Sequence, residues 1–374
     1  MKREKYLKDI QGIRSNIEQR FGGLSPESAA SYYDFLKCKA NLKNYLPSYQ
    51  AKSHLDFFND VWYYRDWAEL DQRHSYAYRH PIVVGDQSLL SDGKPKIFCT
   101  FHVGSYRLIN FLLVKNDLRF TLIVADDHYA DMEKEFGFLA NNYMKECGAD
   151  AGFKVLNAQQ GNIGLQMIRE IKRDNSLIIY IDGNTGVGGM ERKDDKMVVI
   201  DFLEGQIYAR KGVAFLSYAT CVPIVPVLSY WNDDQHPVVH LLDPIYPDRS
   251  QDREEFCVST TQRLYDLLGE LVIKEPAQWN GWLYLSNFSV PSSEEVVQAK
   301  ENSAYTFNQQ RFDVFPWENN HCLFDSKTYE TFKISENLSK VLPLLTDYYS
   351  SSDLEEIMSK DLLNSLIHRK VLIG

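Results

Sequence analysis

The sequence lacks the patterns that mark several common classes of protein. Its six cysteines are scattered, with no CxxC pair and no histidine at ligand spacing, which argues against a disulfide framework and a zinc site. No stretch approaches the roughly 20 apolar residues that a membrane-spanning helix needs. The basic N-terminus has no apolar core after it, so we predict no signal peptide. We therefore expect a cytoplasmic protein whose membrane contact is at most peripheral.

An excess of basic residues is also missing. The chain has 41 Lys and Arg against 51 Asp and Glu, a formal net charge of -10. This balance argues against nucleic acid as a partner, since such binding needs a broad phosphate-neutralising face. The glycine-rich stretch 182–189 has neither the Lys-Ser/Thr ending of a Walker loop nor the GxGxxG spacing of a dinucleotide site. We interpret it as a mobile loop over a substrate site.

The chain is long enough for more than one domain. Its 374 residues are 44% hydrophobic and 25% charged, as in ordinary globular proteins. The patterning changes at three places, which predicts an N-terminal helical region (1–95), an α/β domain (96–290), a polar linker (291–305) and a small C-terminal domain (306–374). In the first region, Ser25-Pro26 has the composition of a helix start.

Short apolar runs alternate with amphipathic stretches in the central domain. The pattern predicts strands over 97–101, 120–124, 177–181, 197–202, 224–228 and 238–242. It predicts helices over 163–172 and 209–219 between them. Strands that alternate with helices indicate an α/β fold with a mixed, largely parallel sheet flanked by helices.

The first of these strands ends in His102, followed by Val103-Gly104-Ser105. A strand that passes into a helix there puts His102 at the carboxyl edge of the sheet, where open α/β folds bind their ligands. Imidazole can accept a proton near neutral pH, so His102 is a candidate general base. The alternative is a core histidine that bonds a neighbouring carbonyl.

Several segments in the same order resemble the lysophospholipid acyltransferase superfamily, in particular the late lipid A acyltransferases. They are His102 to Arg107, the strand ending at Asp182, Phe202-Leu-Glu-Gly205, Ala209 to Leu216, Val222-Pro223-Ile224 and Pro276-Ala-Gln-Trp279. The resemblance implies an acyltransferase-like α/β fold over a little over half of the chain. It also implies direct transfer of an acyl group from an acyl carrier protein or CoA thioester, with no bound cofactor and no metal.

The resemblance assigns roles to individual residues. It makes His102 the catalytic base, and Ser105 and Gly205 would contact substrate. Arg210 and Lys211 open the following helix and could meet a phosphopantetheine phosphate; the alternative is a solvated helix end. Ser105 would not be a nucleophile, since transfer is direct and no GxSxG elbow is present.

One position departs from the family pattern. The family has an acid four residues after its histidine, whereas this chain has Arg107, which cannot accept the imidazole N–H. Three interpretations follow. Another carboxylate at the end of a neighbouring strand, Asp126, Asp127 or Asp182, could orient His102. Alternatively, Arg107 could clamp a carboxylate or phosphate in a different reaction. In the third, the chemistry is lost and a binding groove remains.

The C-terminal domain carries a second resemblance. Strands are predicted at 312–314 and over 323–334 with a turn at Asp325-Ser326, then a helix from Ser335 that breaks at Pro343. A capping box at Ser352 and Glu355 would open the next helix. This order resembles the winged-helix domains that recognise leader peptides in ribosomal peptide maturation. Its seven basic and ten acidic residues over 306–374 disfavour DNA; the alternative is a packing or dimerisation module.

These features lead to one main hypothesis. The protein would be an acyltransferase-like enzyme that acylates a hydroxyl or amine, with a ribosomal precursor peptide or a natural-product intermediate as the acceptor. In this hypothesis His102, Asp182 and Arg107 are catalytic, and Asp126 joins the substrate-binding residues. The alternative is an inert acyltransferase-fold protein that serves as a binding scaffold in peptide biosynthesis.

Overall fold

The computed structural model describes residues 2–148, 152–184, 196–290 and 303–374. The α-helices of these segments are α1 (Lys2–Phe21), α2 (Ala29–Tyr45), α3 (His54–Arg73), α4 (Ser75–Arg79), α5 (Leu108–Lys115), α6 (Asp126–Cys147), α7 (Ile163–Ile171), α8 (Gly212–Thr220), α9 (Arg253–Lys274), α10 (Glu336–Val341), α11 (Ser351–Ile357) and α12 (Lys360–His368). None of these helices has the length and apolar character needed to cross a membrane.

The strands of the same segments are β1 (Ile82–Gly85), β2 (Ile97–Thr100), β3 (Phe120–Val124), β4 (Phe153–Asn157), β5 (Ser176–Tyr180), β6 (Met197–Phe202), β7 (Gly205–Arg210), β8 (Ile224–Trp231), β9 (Pro237–Leu241), β10 (Ala304–Phe307), β11 (Phe312–Trp317), β12 (Asn320–Asp325), β13 (Thr331–Ile334), β14 (Tyr349–Ser350) and β15 (Leu372–Ile373).

The chain divides into two compact units. The first comprises residues 1–19 and 51–290, and the second comprises residues 20–50 and 291–374. The segment predicted as one N-terminal helical region therefore contributes residues to both units. The predicted linker 291–305 lies largely outside the described residues.

The first unit is built on one sheet. Within its described part, seven strands follow the order β1-β9-β8-β2-β5-β3-β4, and β8 with β9 is the antiparallel pair. The prediction of a mixed, largely parallel sheet flanked by helices is confirmed. Because both faces of such a sheet are covered, its central strands are buried along their length, as β2 is at all four positions.

One predicted helix of this unit starts later than the sequence pattern indicates. Residues 205–210 form strand β7, which pairs antiparallel with β6, and helix α8 begins only at Gly212. Burial alternates along β7, which is the period of a strand, and Leu203 has φ +52° in the turn between the strands. The strand predicted over 197–202 therefore belongs to this hairpin and not to the main sheet.

Two strands of the main sheet escaped prediction. β1 forms an edge and is mostly exposed, and β4 forms the other edge. β1 has only the short apolar run Ile82-Val83-Val84, inside the region predicted as helical, and Lys154 interrupts the apolar residues of β4. Short or interrupted apolar runs give a weak strand signal.

The second unit combines a helix with an antiparallel sheet. Helix α2 packs on β11-β12-β13, with Leu36, Phe315 and Phe324 in their shared core. The turn predicted near Asp325 separates β12 from β13, as expected. Ser25-Pro26 precedes a short 3₁₀ turn at Pro26–Ser28 and not an α-helix, because α2 starts only at Ala29.

The last helices of this unit surround a second core. β10 pairs with both β14 and β15, and α10 to α12 contribute leucines such as Leu338, Leu354 and Leu366. Ser335 caps α10, which ends before Pro343, as predicted. The capping box is formed by Ser350 and Asp353, however, and not by the predicted Ser352 and Glu355. The Ser350 side chain accepts from the Asp353 backbone N–H, so the helix starts earlier.

Candidate active site

His102 lies just beyond the carboxyl end of β2. Strand β2 pairs with β5 in parallel register, with Thr100 opposite Tyr180. His102 and Asp182 each follow these paired residues by two positions, so the register brings both side chains to one point of the sheet edge. Parallel strands of this kind carry their ligand sites at this edge.

Strand order decides which carboxylate reaches His102. β5 is the direct neighbour of β2, whereas β3 lies one strand further away. Asp126 and Asp127 follow β3, at the start of α6. Of the three predicted carboxylates, Asp182 is therefore the one that meets the histidine. The side chains of Asp126 and Asp127 lie outside the description.

The contact between His102 and Asp182 involves both the ring and the backbone. The ring Nδ1 lies 2.8 Å from Oδ1 of Asp182, and the His102 backbone N–H donates to Oδ2 at 2.9 Å. A carboxylate only accepts, so Nδ1 carries a proton and Nε2 of the neutral ring has a free lone pair. No described residue forms a hydrogen bond with Nε2, and the His102 side chain is 28% exposed.

Two aromatic side chains complete the surroundings of the Asp182 carboxylate. Trp279 Nε1 donates to Oδ2 at 2.8 Å and the Tyr284 hydroxyl donates to the same atom at 3.3 Å. Burial alone would raise the pKa of Asp182, but the charge of His102 and the hydrogen bonds from His102 and Trp279 lower it below its ordinary value. The fully buried Asp182 is therefore an anion at neutral pH.

A short segment after α9 holds the histidine loop in place. Asn280 N–H donates to the His102 carbonyl at 2.9 Å, and Gly104 N–H donates to the Gln278 carbonyl at 3.0 Å. The segment is the Pro-x-Gln-aromatic stretch that carried part of the family resemblance. The stretch was predicted to matter from the resemblance, but the hydrogen bond from Trp279 to Asp182 was not predicted. A tryptophan next to a glutamine does not indicate a contact with a distant aspartate unless the fold is known.

Three tyrosines surround the exposed part of the imidazole. Ring centroids of Tyr106, Tyr180 and Tyr284 lie 5.0, 5.2 and 6.3 Å from that of His102. Burial raises the pKa of both Tyr180 and Tyr284 above the ordinary phenol value. These two phenols are therefore neutral at physiological pH and can donate hydrogen bonds. Sequence analysis did not select any of the three, because tyrosine is abundant in this chain.

Arg107 lies beside the same tyrosines. Its guanidinium carbon is 5.4 Å from the centroid of the Tyr106 ring, and Nη1 donates to Oε1 of Gln72 at 3.1 Å. Arg107, which stands where the lysophospholipid acyltransferases have an acid, thus contacts the Tyr106 ring and does not pair with Asp182.

Ser105 does not face the histidine. It is fully buried, and its hydroxyl donates to Oδ2 of Asp71. Trp231 Nε1 donates to the same oxygen at 2.9 Å, and the Tyr6 hydroxyl donates to Oδ1 at 2.6 Å. Burial raises the pKa of Asp71 to about 6 against the opposing effect of these donors. Ser105 thus joins an internal network that ties helices α1 and α3 to the loop after β2.

The remaining predicted substrate residues lie around the β6–β7 hairpin. Gly205 begins β7. The Arg210 Nε donates to the Asn184 carbonyl at 2.9 Å, which ties the hairpin to the segment after β5. Lys211 is the N-cap of α8 and its ammonium pairs with Glu254. Of the glycine-rich stretch 182–189 that is predicted as a loop over the site, residues 185–189 lie outside the described residues.

A separate cavity opens at the opposite edge of the sheet. It has a volume of about 320 Å³ and is lined by residues that include Arg119, Lys154 and Glu170. Glu170 accepts from Lys154 at 2.9 Å and from Asn175 at 2.8 Å, so its carboxylate is already satisfied. This cavity adjoins the amino ends of β3 and β4, so it is not the ligand edge of a parallel sheet.

The geometry around His102 is that of a proton-transfer site. A buried anion fixes the imidazole through Nδ1 and leaves Nε2 without a hydrogen-bond partner among the described residues, which is the arrangement of an oriented general base. No group of three His, Cys, Asp or Glu side chains among the described residues could hold a metal ion.

Comparisons with known proteins find a likeness among solved structures. No family model and no curated protein matches the chain. Among solved structures, a 1-acyl-sn-glycerophosphate (LPA) acyltransferase, PlsC, from Thermotoga maritima matches with a TM-score of 0.35 and 13% identity, over 75% of this chain and 99% of that one. A TM-score this low does not establish a shared fold, so the chemistry of the site has to be inferred from its own residues.

Proposed function

We propose that this protein is an acyltransferase in which His102 is the general base. Its Nε2 would accept the proton from a hydroxyl or amine as that group attacks the carbonyl carbon of an acyl thioester. The tetrahedral adduct then collapses with release of the thiolate, which can take the proton back from the imidazolium. Atoms and charges balance without a cofactor.

A single observation carries this proposal. His102 Nδ1 lies 2.8 Å from the buried Asp182 carboxylate, whose charge stabilises the imidazolium that forms during proton transfer. A core histidine that only satisfied a neighbour would not need a buried anion held by two further donors. Taking a carboxylate out of water costs several kcal/mol, which its partners must offset, and carboxylate–histidine pairs arranged in this way cluster at functional sites.

The ordered sequence motifs support a thioester as donor. Carrier-protein and CoA thioesters share the phosphopantetheine arm, and Arg210 and Lys211 would be the cationic residues nearest to a bound phosphate in this scheme. The Arg210 side chain bonds Asn184, two residues after Asp182, so the hairpin adjoins the strand end that carries the site.

The test measures transfer with and without the base. Wild type, His102→Ala and the exposed-histidine control His80→Ala are incubated with dodecanoyl-CoA or the dodecanoyl thioester of a holo acyl carrier protein. Hydroxylamine serves as a neutral probe acceptor. Because it also cleaves thioesters without an enzyme, the rate is taken as the hydroxamate formed in excess of an enzyme-free reaction, measured by mass spectrometry. We expect His102→Ala to lose about 10²-fold or more in rate. His80→Ala should match wild type, and thermal unfolding should show that both variants are folded.

Full turnover by His102→Ala would refute the assignment of the base. Absence of transfer by wild type from both donors would instead favour the inert binding protein that shares this fold. These two outcomes are separated by the wild-type measurement alone.

We also propose that residues 306–374 act as a winged-helix module that recognises a precursor peptide. An extended peptide could pair with the edge strand β13, whose residues are alternately exposed and half-buried. Intact-mass analysis of candidate precursor peptides co-expressed with the protein tests this role. An acyl-sized mass gain supports a peptide acceptor, and an unchanged mass together with hydroxamate formation would assign the activity to a smaller acceptor.

A further inference from the structure

Beside His102, the structure holds more hydrogen-bond donors than acceptors. Gln72 is 1% exposed, and its Oε1 accepts from Arg107 Nη1 at 3.1 Å. A guanidinium only donates, so the amide oxygen must be the atom that faces it, and Nε2 is the other end of the amide. That buried Nε2 has no hydrogen-bond partner. The guanidinium also has a hydrogen bond with the Tyr106 hydroxyl, whereas the amide N–H beside it has no acceptor.

The charge of Arg107 is also uncompensated at close range. No carboxylate of the described residues lies within 4.0 Å of its guanidinium, and Glu69 acts on it only through longer-range attraction. The side chain is half-buried against Tyr106 and Tyr180. A buried amide N–H without an acceptor, next to a cation without a carboxylate partner, is an arrangement that an anionic ligand would complete.

We propose that Arg107 and Gln72 bind a carboxylate of the acyl acceptor. The guanidinium and Gln72 Nε2 would both donate to its oxygens. The inference rests on the proposed acyl transfer and narrows its acceptor to an amino or hydroxy acid, in which the attacking group and the carboxylate are a few bonds apart.

The distances favour the acceptor over the donor as the source of this anion. The His102 ring centroid lies 5.0 Å and the Arg107 guanidinium carbon 5.4 Å from the centroid of Tyr106. The imidazole and the guanidinium can therefore be no further apart than the sum of these two distances. A phosphopantetheine phosphate is separated from its thioester by pantoate, β-alanine and cysteamine units, which in extended form span more than that. A carboxylate near an attacking amine or hydroxyl fits this spacing.

The charge favours a carboxylate over a phosphate. Arg107 supplies one positive charge and Gln72 is neutral, which matches a monoanion. No Lys or second Arg of the described residues bonds Gln72 or lies over the Tyr106 ring, as a phosphate dianion would require. Arginine also suits the planar geometry of a carboxylate.

A matched pair of product-like probes tests the site without relying on turnover. Calorimetry would compare N-octanoylglycine with N-octanoylglycinamide, which differs only in lacking the charge. We expect wild type to bind the carboxylate about tenfold more tightly or better. Arg107→Gln should remove the preference, and so should Gln72→Glu, because the new carboxylate would pair with Arg107. The exposed Arg119→Gln is the matched control and should keep it.

Equal affinity of wild type for the two probes would overturn the inference, as would a preference that survives in Arg107→Gln. Failure of N-octanoylglycine to bind at millimolar concentration would overturn it too. Loss of hydroxamate formation bears only on the proposed function, since hydroxylamine has no carboxylate. The wild-type probe comparison needs no variant, so misfolding of a mutant cannot obscure the result.

Discussion

His102 donates to the carboxylate of Asp182 twice, from its backbone N–H at 2.9 Å and from its ring Nδ1 at 2.8 Å. The hydrogen bond from the backbone fixes the position of the His102 main chain, and the hydrogen bond from the ring fixes the orientation of the imidazole. Because Asp182 also accepts from Trp279 and Tyr284, its own orientation is set from the opposite side. The histidine is thus oriented by a chain of contacts that no longer requires an acid at position 107.

The first prediction concerns the charge of this carboxylate. Asp182→Asn should lower the rate of hydroxamate formation by about 10²-fold or more, because the amide can present its NH₂ to Nδ1 and select the wrong tautomer of His102. Rate against pH should be measured for both proteins. The exposed Asp234→Asn is the control, and a variant at Asp182 with a wild-type rate would show that the carboxylate does not orient the base.

The second prediction concerns Gly104, which has φ +55° in the loop after His102. A Cβ there would lie 2.4 Å from the Ser229 carbonyl oxygen and 2.5 Å from Tyr230 Cα, both backbone atoms that cannot move aside. Gly104→Ala should therefore cost ~2–5 kcal/mol of unfolding free energy and reduce transfer.

Gly93→Ala separates the two causes, since Gly93 has φ +69° but nothing within 4 Å of an added Cβ. It should cost only the ~1–2 kcal/mol of the backbone conformation. Equal losses for the two variants, measured by urea unfolding, would mean that the close approach at Gly104 does not matter.

The third prediction is a pH dependence of stability due to Asp71. Burial raises its pKa to about 6 in the folded state, above the ordinary value of about 4. Between these values the folded protein binds more protons than the unfolded chain, so the Asp71 contribution to stability falls as pH rises through this window and is constant above it. Asp71→Asn abolishes this titration.

Urea unfolding from about pH 4 to 7 should therefore show a more negative slope for wild type than for Asp71→Asn in the lower part of the range. The comparison uses slopes, so the lower overall stability expected for the variant does not affect it. The lowered pKa of Asp182 has the opposite sign, since its contribution is lost as pH falls through its folded pKa. Parallel slopes for the two proteins would contradict the shifted pKa.

The fourth prediction concerns an ion pair of the second unit. Arg311 donates to Asp325 through Nε at 2.7 Å and Nη2 at 2.6 Å, and the two side chains are 14% and 4% exposed. Arg311→Met leaves a buried carboxylate without its cation and should cost ~3–5 kcal/mol of unfolding free energy. The exposed pair of Lys340 and Glu336 is the control, and Lys340→Met should change stability little. Similar effects of the two variants would contradict the role of burial.

Much of the framework was predictable because it depends on local patterns. Apolar runs located the buried strands β2, β3 and β5 to within a residue, and Ser335 and Pro343 bounded α10. Strand β7 was missed, because its last residues were assigned to the helix predicted over 209–219. The exposed edge strand β1 was missed because its apolar run is short and lies in the region predicted as helical.

The sequence by itself determined that a histidine follows a buried strand, that Arg107 replaces the expected acid, and that three aspartates follow neighbouring strands. Only the tertiary structure decided which of the three aspartates orients His102. Strand order places β5 and not β3 beside β2, and the pairing of Thr100 with Tyr180 sets Asp182 level with His102. Hydrogen bonds between strands far apart in the chain fix that order and register, and no local pattern records them. The contact of Arg107 with Gln72 has the same origin, since helix α3 and the loop after β2 meet only in the folded unit.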